Sequence, residues 1–138
     1  MDRIDTPALP ALGRLLMAWF MVSAGWGKLM AASATIGFIA SAGLPFPTLA
    51  YIVALVVEIG VGLLLLVGLF TGPVGIVLAL WCLITALIFH GGDDRINQIM
   101  FHKNLALTGG FLFVAALGAG AWSVDAMLAR RRAAAAPA

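Results

Sequence analysis

Glu58 is a lone acid inside the run Tyr51–Phe70, an otherwise apolar stretch long enough to cross a bilayer. An ionisable side chain at that depth costs roughly 2.5–3.5 kcal/mol on insertion scales. Something must offset that cost: a partner cation, a proton, or a function that uses the group. Lys28, near the end of an earlier apolar stretch, is a basic candidate at the same membrane face. Counted inward from that face, the two residues differ in depth by roughly 9 Å at 1.5 Å per residue. A lysine stem can reach toward such a distance, but the spacing does not fix a direct contact. Glu58 and Lys28 are thus the candidate catalytic residues, as a proton relay or as a buried structural pair.

The other polar residues are unevenly spread. His90 closes the third apolar stretch, and Lys103 and Asn104 open the fourth; between them lie Asp93, Asp94, Arg95, Asn97, Gln98 and His102. His90, Lys103 and Asn104 are candidate ligand-binding residues, suited to hydrogen-bonding a polar head while Trp26 stacks on its ring. A metal alternative would combine His90, Asp93 and His102. Their spacing matches no compact zinc pattern and supplies no thiolate, so no metal site is expected. For Arg14 the expectation is an interfacial anchor, for Trp19 and Trp81 core packing, and for Trp122 a place in the interfacial aromatic belt.

Composition fixes the class of protein that must position these groups. Of 138 residues, 63% are hydrophobic and only 10% are charged, against about 25% charged in a soluble domain. The chain is therefore an integral membrane protein with the lipid bilayer as its first partner. A formal charge of +2 with scattered basic residues excludes nucleic acid as a partner. The single cysteine, Cys82, lies in an apolar run; it cannot form an internal disulfide and provides no dithiol centre.

Four apolar stretches approach the roughly 20 residues of a spanning helix. They cover about residues 12–32, 48–70, 73–90 and 104–122, which predicts an all-α, four-helix transmembrane bundle spanning residues 1–125. The first reads as a retained span, since its apolar character runs past Val22-Ser23-Ala24 through Trp26 and Leu29. Pro73 suits the first turn of the third, after a tight Thr71-Gly72 break. The Ser33–Pro47 connection is almost uncharged and reads as an interfacial or re-entrant segment able to roof a cavity. Asp93 or Asp94 caps a short surface helix ending near Phe101. Residues 126–138 read as a basic, alanine-rich tail, frayed or disordered. Ala54, Glu58 and Gly62 recur every fourth residue, and Gly60, Gly68, Gly109, Gly110, Gly118 and Gly120 add small positions for close helix packing. An excess of arginines at Arg3, Arg14 and Arg130–Arg132 places both termini in the cytoplasm.

Several motifs in their order resemble the DoxX family of small membrane proteins. They are Gly13-Arg14, Ser23-Ala24-Gly25-Trp26-Gly27-Lys28-Leu29, Gly43-Leu44-Pro45, Glu58 followed by Gly60 and Gly62, and Gly68-Leu69-Phe70-Thr71. The run from Phe101-His102-Lys103-Asn104 to Gly109-Gly110 is the most specific. The resemblance implies a four-helix bundle in the bacterial inner membrane and a link to redox metabolism, since similar proteins include the DoxD-type subunit of thiosulfate:quinone oxidoreductase. It suggests a quinone- or redox-associated subunit of a membrane oxidoreductase system, with no intrinsic cofactor and a membrane quinone as ligand. A partner protein would supply the redox centre. The alternatives are a non-catalytic anchor or assembly partner for a redox protein and a protein that binds or carries a small apolar molecule; a second copy of the chain, in a homo-oligomer, is a further candidate partner.

Overall fold

A computed structural model describes residues 6–135. Four helices are long and apolar enough to cross a membrane. The first is α1 (Ala8–Met30). The second span combines α3 (Pro47–Leu55), a π-helical segment (Val56–Val61) and α4 (Gly62–Val67). The third is α5 (Thr71–Phe89) and the fourth α6 (Arg95–Leu117). A short helix, α2 (Ala32–Ser41), lies between the first two spans, where the sequence predicts an interfacial segment. The all-α membrane bundle is as expected.

The spans fall into two packed groups. α1 packs along the second span, and α2 rests on α3. Gly25 and Gly62 make the first of these approaches possible: a Cβ on Gly25 would lie 3.0 Å from Glu58 Cβ, and one on Gly62 would lie 3.1 Å from Val22 Cγ2. α6 packs almost entirely against α5, and Gly75 is the point of closest approach. Gly60 and Gly109 have open space beside them, so they do not serve the packing expected of them. Ala54, Glu58 and Gly62 are all buried, as their spacing implies.

The core occupies the half of the bundle nearer the chain termini, where Leu65, Leu78 and Phe111 are fully buried beside Ala18, Met21 and Cys82. Large apolar residues elsewhere, such as Leu16, Leu80 and Phe113, face outward as lipid-contacting side chains should. The opposite half, toward residues 31–46 and 90–94, is not filled in this way.

Two boundaries differ from those expected. The surface helix and the fourth span are one helix. Asp94 caps it by accepting from the N–H groups of Ile96 (3.1 Å) and Asn97 (3.0 Å), and α6 then runs through the polar stretch into the apolar one. It stops at Gly118, well before residue 122. The tail is not frayed as far as Ala135: Val124–Ala135 forms α7, which Ser123 caps by accepting from Ala126 N–H (3.2 Å). Residues 136–138 of the expected tail lie outside the described residues.

Arg14 is no interfacial anchor. It is 5% exposed and donates through its guanidinium to the carbonyls of Ala119 and Trp122, tying α1 to the segment before α7. Beside it, Asp125 of α7 accepts from Phe70 N–H (2.9 Å), Thr71 N–H (2.9 Å) and the Thr71 hydroxyl (2.7 Å). A carboxylate from a distant element thus caps the start of α5 and holds Phe70 in the left-handed region, at φ 52.

Burial pushes the Asp125 carboxyl up. The Thr71 and Phe70 donors and the nearby Arg14 charge outweigh that and bring it below the ordinary value of 3.8. A carboxylate depressed in the folded state contributes fully above its unfolded pKa and loses that contribution as pH falls through the folded one. Stability is therefore expected to decline on acidification below the ordinary carboxylate value of 3.8. Thermal unfolding in detergent at stepped pH should show a flatter profile for Asp125→Asn across that window.

Candidate functional site

Glu58 lies in the π segment at the centre of the bundle and is 5% exposed. π segments are rare and recur at functional sites, because one extra residue per turn re-aims a side chain. Lys28 Nζ donates to Glu58 Oε2 at 2.6 Å, and Trp81 Nε1 donates to Glu58 Oε1 at 3.1 Å. α1, the second span and α5 therefore converge on one carboxylate. The candidate pair inferred from sequence is a direct ion pair.

Above this triad, toward residues 31–46 and 90–94, a cavity of about 570 Å³ opens between α1–α3 on one side and α5–α6 on the other. Its existence follows from how the second span packs. That span meets α5 through the π segment and α4, whereas α3 stays with α1 and α2. The two diverge beyond Glu58 and leave a slot walled by Leu49 and Val53 on α3 and by Ile84 and Ile88 on α5. Across its top, Phe38 of α2 stacks on Phe89 of α5 with ring centroids 5.5 Å apart. Phe46 and Leu44 complete the roof.

The walls are apolar and the polar lining is confined to a few groups. Lys28, Glu58 and Trp81 form the floor, and Thr85, His90, Lys103 and Asn104 also reach the cavity. Thr85 is satisfied by its own helix, donating to the Trp81 carbonyl (2.8 Å). His90 Nδ1 lies 3.4 Å from Asn97 Oδ1. Lys103 Nζ sits 5.0 Å from the centroid of the Phe20 ring and 3.4 Å from Met100 Sδ. Among the described residues no carboxylate lies within ion-pairing distance of Lys103. The structure thus brings together five of the six residues singled out as catalytic or ligand-binding: Lys28, Glu58, His90, Lys103 and Asn104.

Trp26 is the exception. It is 58% exposed on the outer surface of α1 and does not line the cavity. One turn of α1 carries Lys28 inward and therefore points Trp26 away, toward lipid. Trp19 is exposed in the same manner, not packed in the core. The indole that reaches the site is Trp81, for which the sequence suggested packing alone. The metal alternative is not assembled. His90 faces the cavity, whereas His102 is exposed and its Nδ1 pairs with the Gln98 carbonyl of its own helix (2.7 Å). No three His, Cys, Asp or Glu side chains converge on a common point among the described residues.

The sequence matches the DoxX family over residues 9–91, a segment holding α1 to α5 and both partners of the ion pair. The chain belongs to the DoxX family. The chain is similar to the inner membrane protein YqjF of Escherichia coli strain K12, 36% identical over 121 residues, or 87% of this chain and 92% of YqjF. The inner membrane protein YphA of the same organism is 34% identical over 125 residues, covering 86% of this chain and 89% of YphA. Both alignments extend well beyond residue 91 in length. No solved structure matches the chain.

Proposed function

We propose that this DoxX-family protein binds a quinone-class molecule from the bilayer and serves a redox protein of the inner membrane. The observation that carries the reading is the cavity itself: apolar walls between membrane-spanning helices, with an ion pair and a few donors among them. Ligand sites of this volume are mostly apolar with a small number of placed polar groups. The donor set suits the group, because a quinone ring and prenyl tail need apolar walls and its carbonyl oxygens need N–H donors. Lys28 retains N–H bonds beyond the one given to Glu58, and Asn104 and Lys103 supply others. Bound there, a quinone would supply two-electron, two-proton redox chemistry, with electrons exchanged through a partner protein. Glu58, held by Lys28 and Trp81, would take up or release a proton at its carboxylate. In this reading both termini lie in the cytoplasm and the cavity opens in the outer half of the membrane.

The test is a titration of the purified chain in nanodiscs with a short-tailed ubiquinone analogue, read by tryptophan fluorescence. Saturable quenching is expected, lost in Trp81→Phe and kept in Trp26→Phe. Glu58→Gln should weaken binding by roughly ten-fold, the size of one charge-assisted hydrogen bond. Unchanged affinity in that variant would remove Glu58 from the site.

One observation favours a second reading, that of a non-catalytic anchor for a redox protein. Both Glu58 oxygens already accept from protein donors on two other spans, so the triad staples the bundle whatever the cavity holds.

A further inference from the structure

We infer that the cavity contains a second polar locus, formed by Lys103 and Asn104, that takes a single negative charge on an amphiphile's head. The inference rests on the preceding reading only in treating the cavity as a ligand site; it specifies the head's charge. Three observations carry it. Asn104 is 6% exposed and lines the cavity, and its side-chain amide has no hydrogen-bond partner among the described residues. The amide is not sealed in the core, since it borders the cavity, and it is therefore free to bond a polar head that enters. Next to it in sequence, the half-buried Lys103 ammonium meets, among the described residues, a thioether and an aromatic face and no acceptor oxygen. Finally, the charges lining the cavity are Lys28, Glu58 and Lys103. The first two neutralise each other at 2.6 Å, which leaves one positive charge without a counterion in a low-dielectric space.

A partly desolvated cation is stabilised by an anion that enters with its own apolar body, and the apolar walls fit that body. The class is an amphiphilic monoacid: a long-chain carboxylate, or a head with an acidic oxygen of similar charge. A carboxylate would accept from Lys103 through one oxygen and from the Asn104 amide through the other.

The experiment photolabels the full-length protein in zwitterionic nanodiscs with a diazirine-bearing palmitic acid and, separately, with its methyl ester. The acid is expected to label cavity residues and to be displaced by palmitate but not by methyl palmitate. Lys103→Met and Asn104→Leu should each lower labelling by roughly ten-fold, and Lys103→Arg should restore most of it. Thermal stability measured in parallel separates loss of the site from loss of the fold. Equal labelling by acid and ester, or full labelling of a folded Lys103→Met protein, would overturn the inference. Adding the ubiquinone analogue as competitor keeps the two readings apart. Selective acid labelling that the quinone fails to displace supports the anionic locus and sinks the quinone assignment. Quinone quenching without acid labelling does the reverse.

Discussion

Lys28→Met is expected to be the most damaging single polar substitution in the bundle, lowering stability by about 3–5 kcal/mol. The change keeps most of the length of the side chain and removes its charge. Glu58 would remain 5% exposed at the middle of a membrane span, with the Trp81 indole as its sole partner among the described residues. An uncompensated buried carboxylate is far costlier than the pair is valuable, and that asymmetry gives the second half of the expectation. The double variant Lys28→Met/Glu58→Met should recover most of the lost stability, because well-packed apolar residues replace a buried ion pair at little net cost. Reversible unfolding in bicelles, run as a double-mutant cycle, measures both. The double variant also separates the two roles of the triad. If it folds but no longer binds the quinone analogue, the pair belongs to the site; if binding survives, the pair is a staple alone.

Gly75→Val should come second, with destabilisation at or above the upper end of the roughly 1–3 kcal/mol range for overpacked cores. A Cβ at Gly75 would lie 2.8 Å from the Phe111 carbonyl oxygen and 2.9 Å from both Ala115 N and Ala115 Cβ. Two of these three atoms are backbone, so no rotamer change relieves the contact and α6 itself must move. Elsewhere α6 is held by side-chain contacts to α1, such as Lys103 against the Phe20 ring and Met17 beside Gly110. Displacing it would also withdraw Lys103 and Asn104 from the cavity, so ligand binding should fall together with stability. Gly109→Ala, on α6 with nothing within 4 Å of the added Cβ, is the matched control and should behave like wild type in both measurements.

The parts of this architecture that sequence conveys are those written in hydropathy. Four apolar runs give four spans, and a lone acid among them demands a partner that proves to be Lys28. Asp94 was readable as a helix start. The length of the helix it starts was not, because the polar stretch from Asn97 to Lys103 reads as a separate surface helix until the membrane-facing portion carries it along as its first turns. Rotation of each helix about its axis is the larger gap. In water, an apolar stripe marks the inward face; in lipid, both faces are apolar, and hydropathy does not distinguish Trp26 from Trp81. The π segment has no periodic signature for the same reason. Arg14 and Asp125 were illegible for a different one: their partners are more than fifty residues away, and a charged residue near a membrane boundary usually anchors to headgroups.

The cap that Asp125 places on α5 also has a consequence for how the protein is made. Thr71 precedes Asp125 by 54 residues, and at about 5–20 residues per second the ribosome supplies one several seconds before the other. Throughout that interval the third helix enters the membrane with its leading N–H groups lacking the carboxylate that will hold them. Arg14, emerging earlier still, waits for the Ala119 and Trp122 carbonyls. Both ties close only once residues 119–125 have been made and turn back toward α5. A product that stops short of residue 119 therefore carries the four membrane-crossing helices of the described residues and still differs at one end of the bundle, where Arg14 and Thr71 lack the partners that settle them.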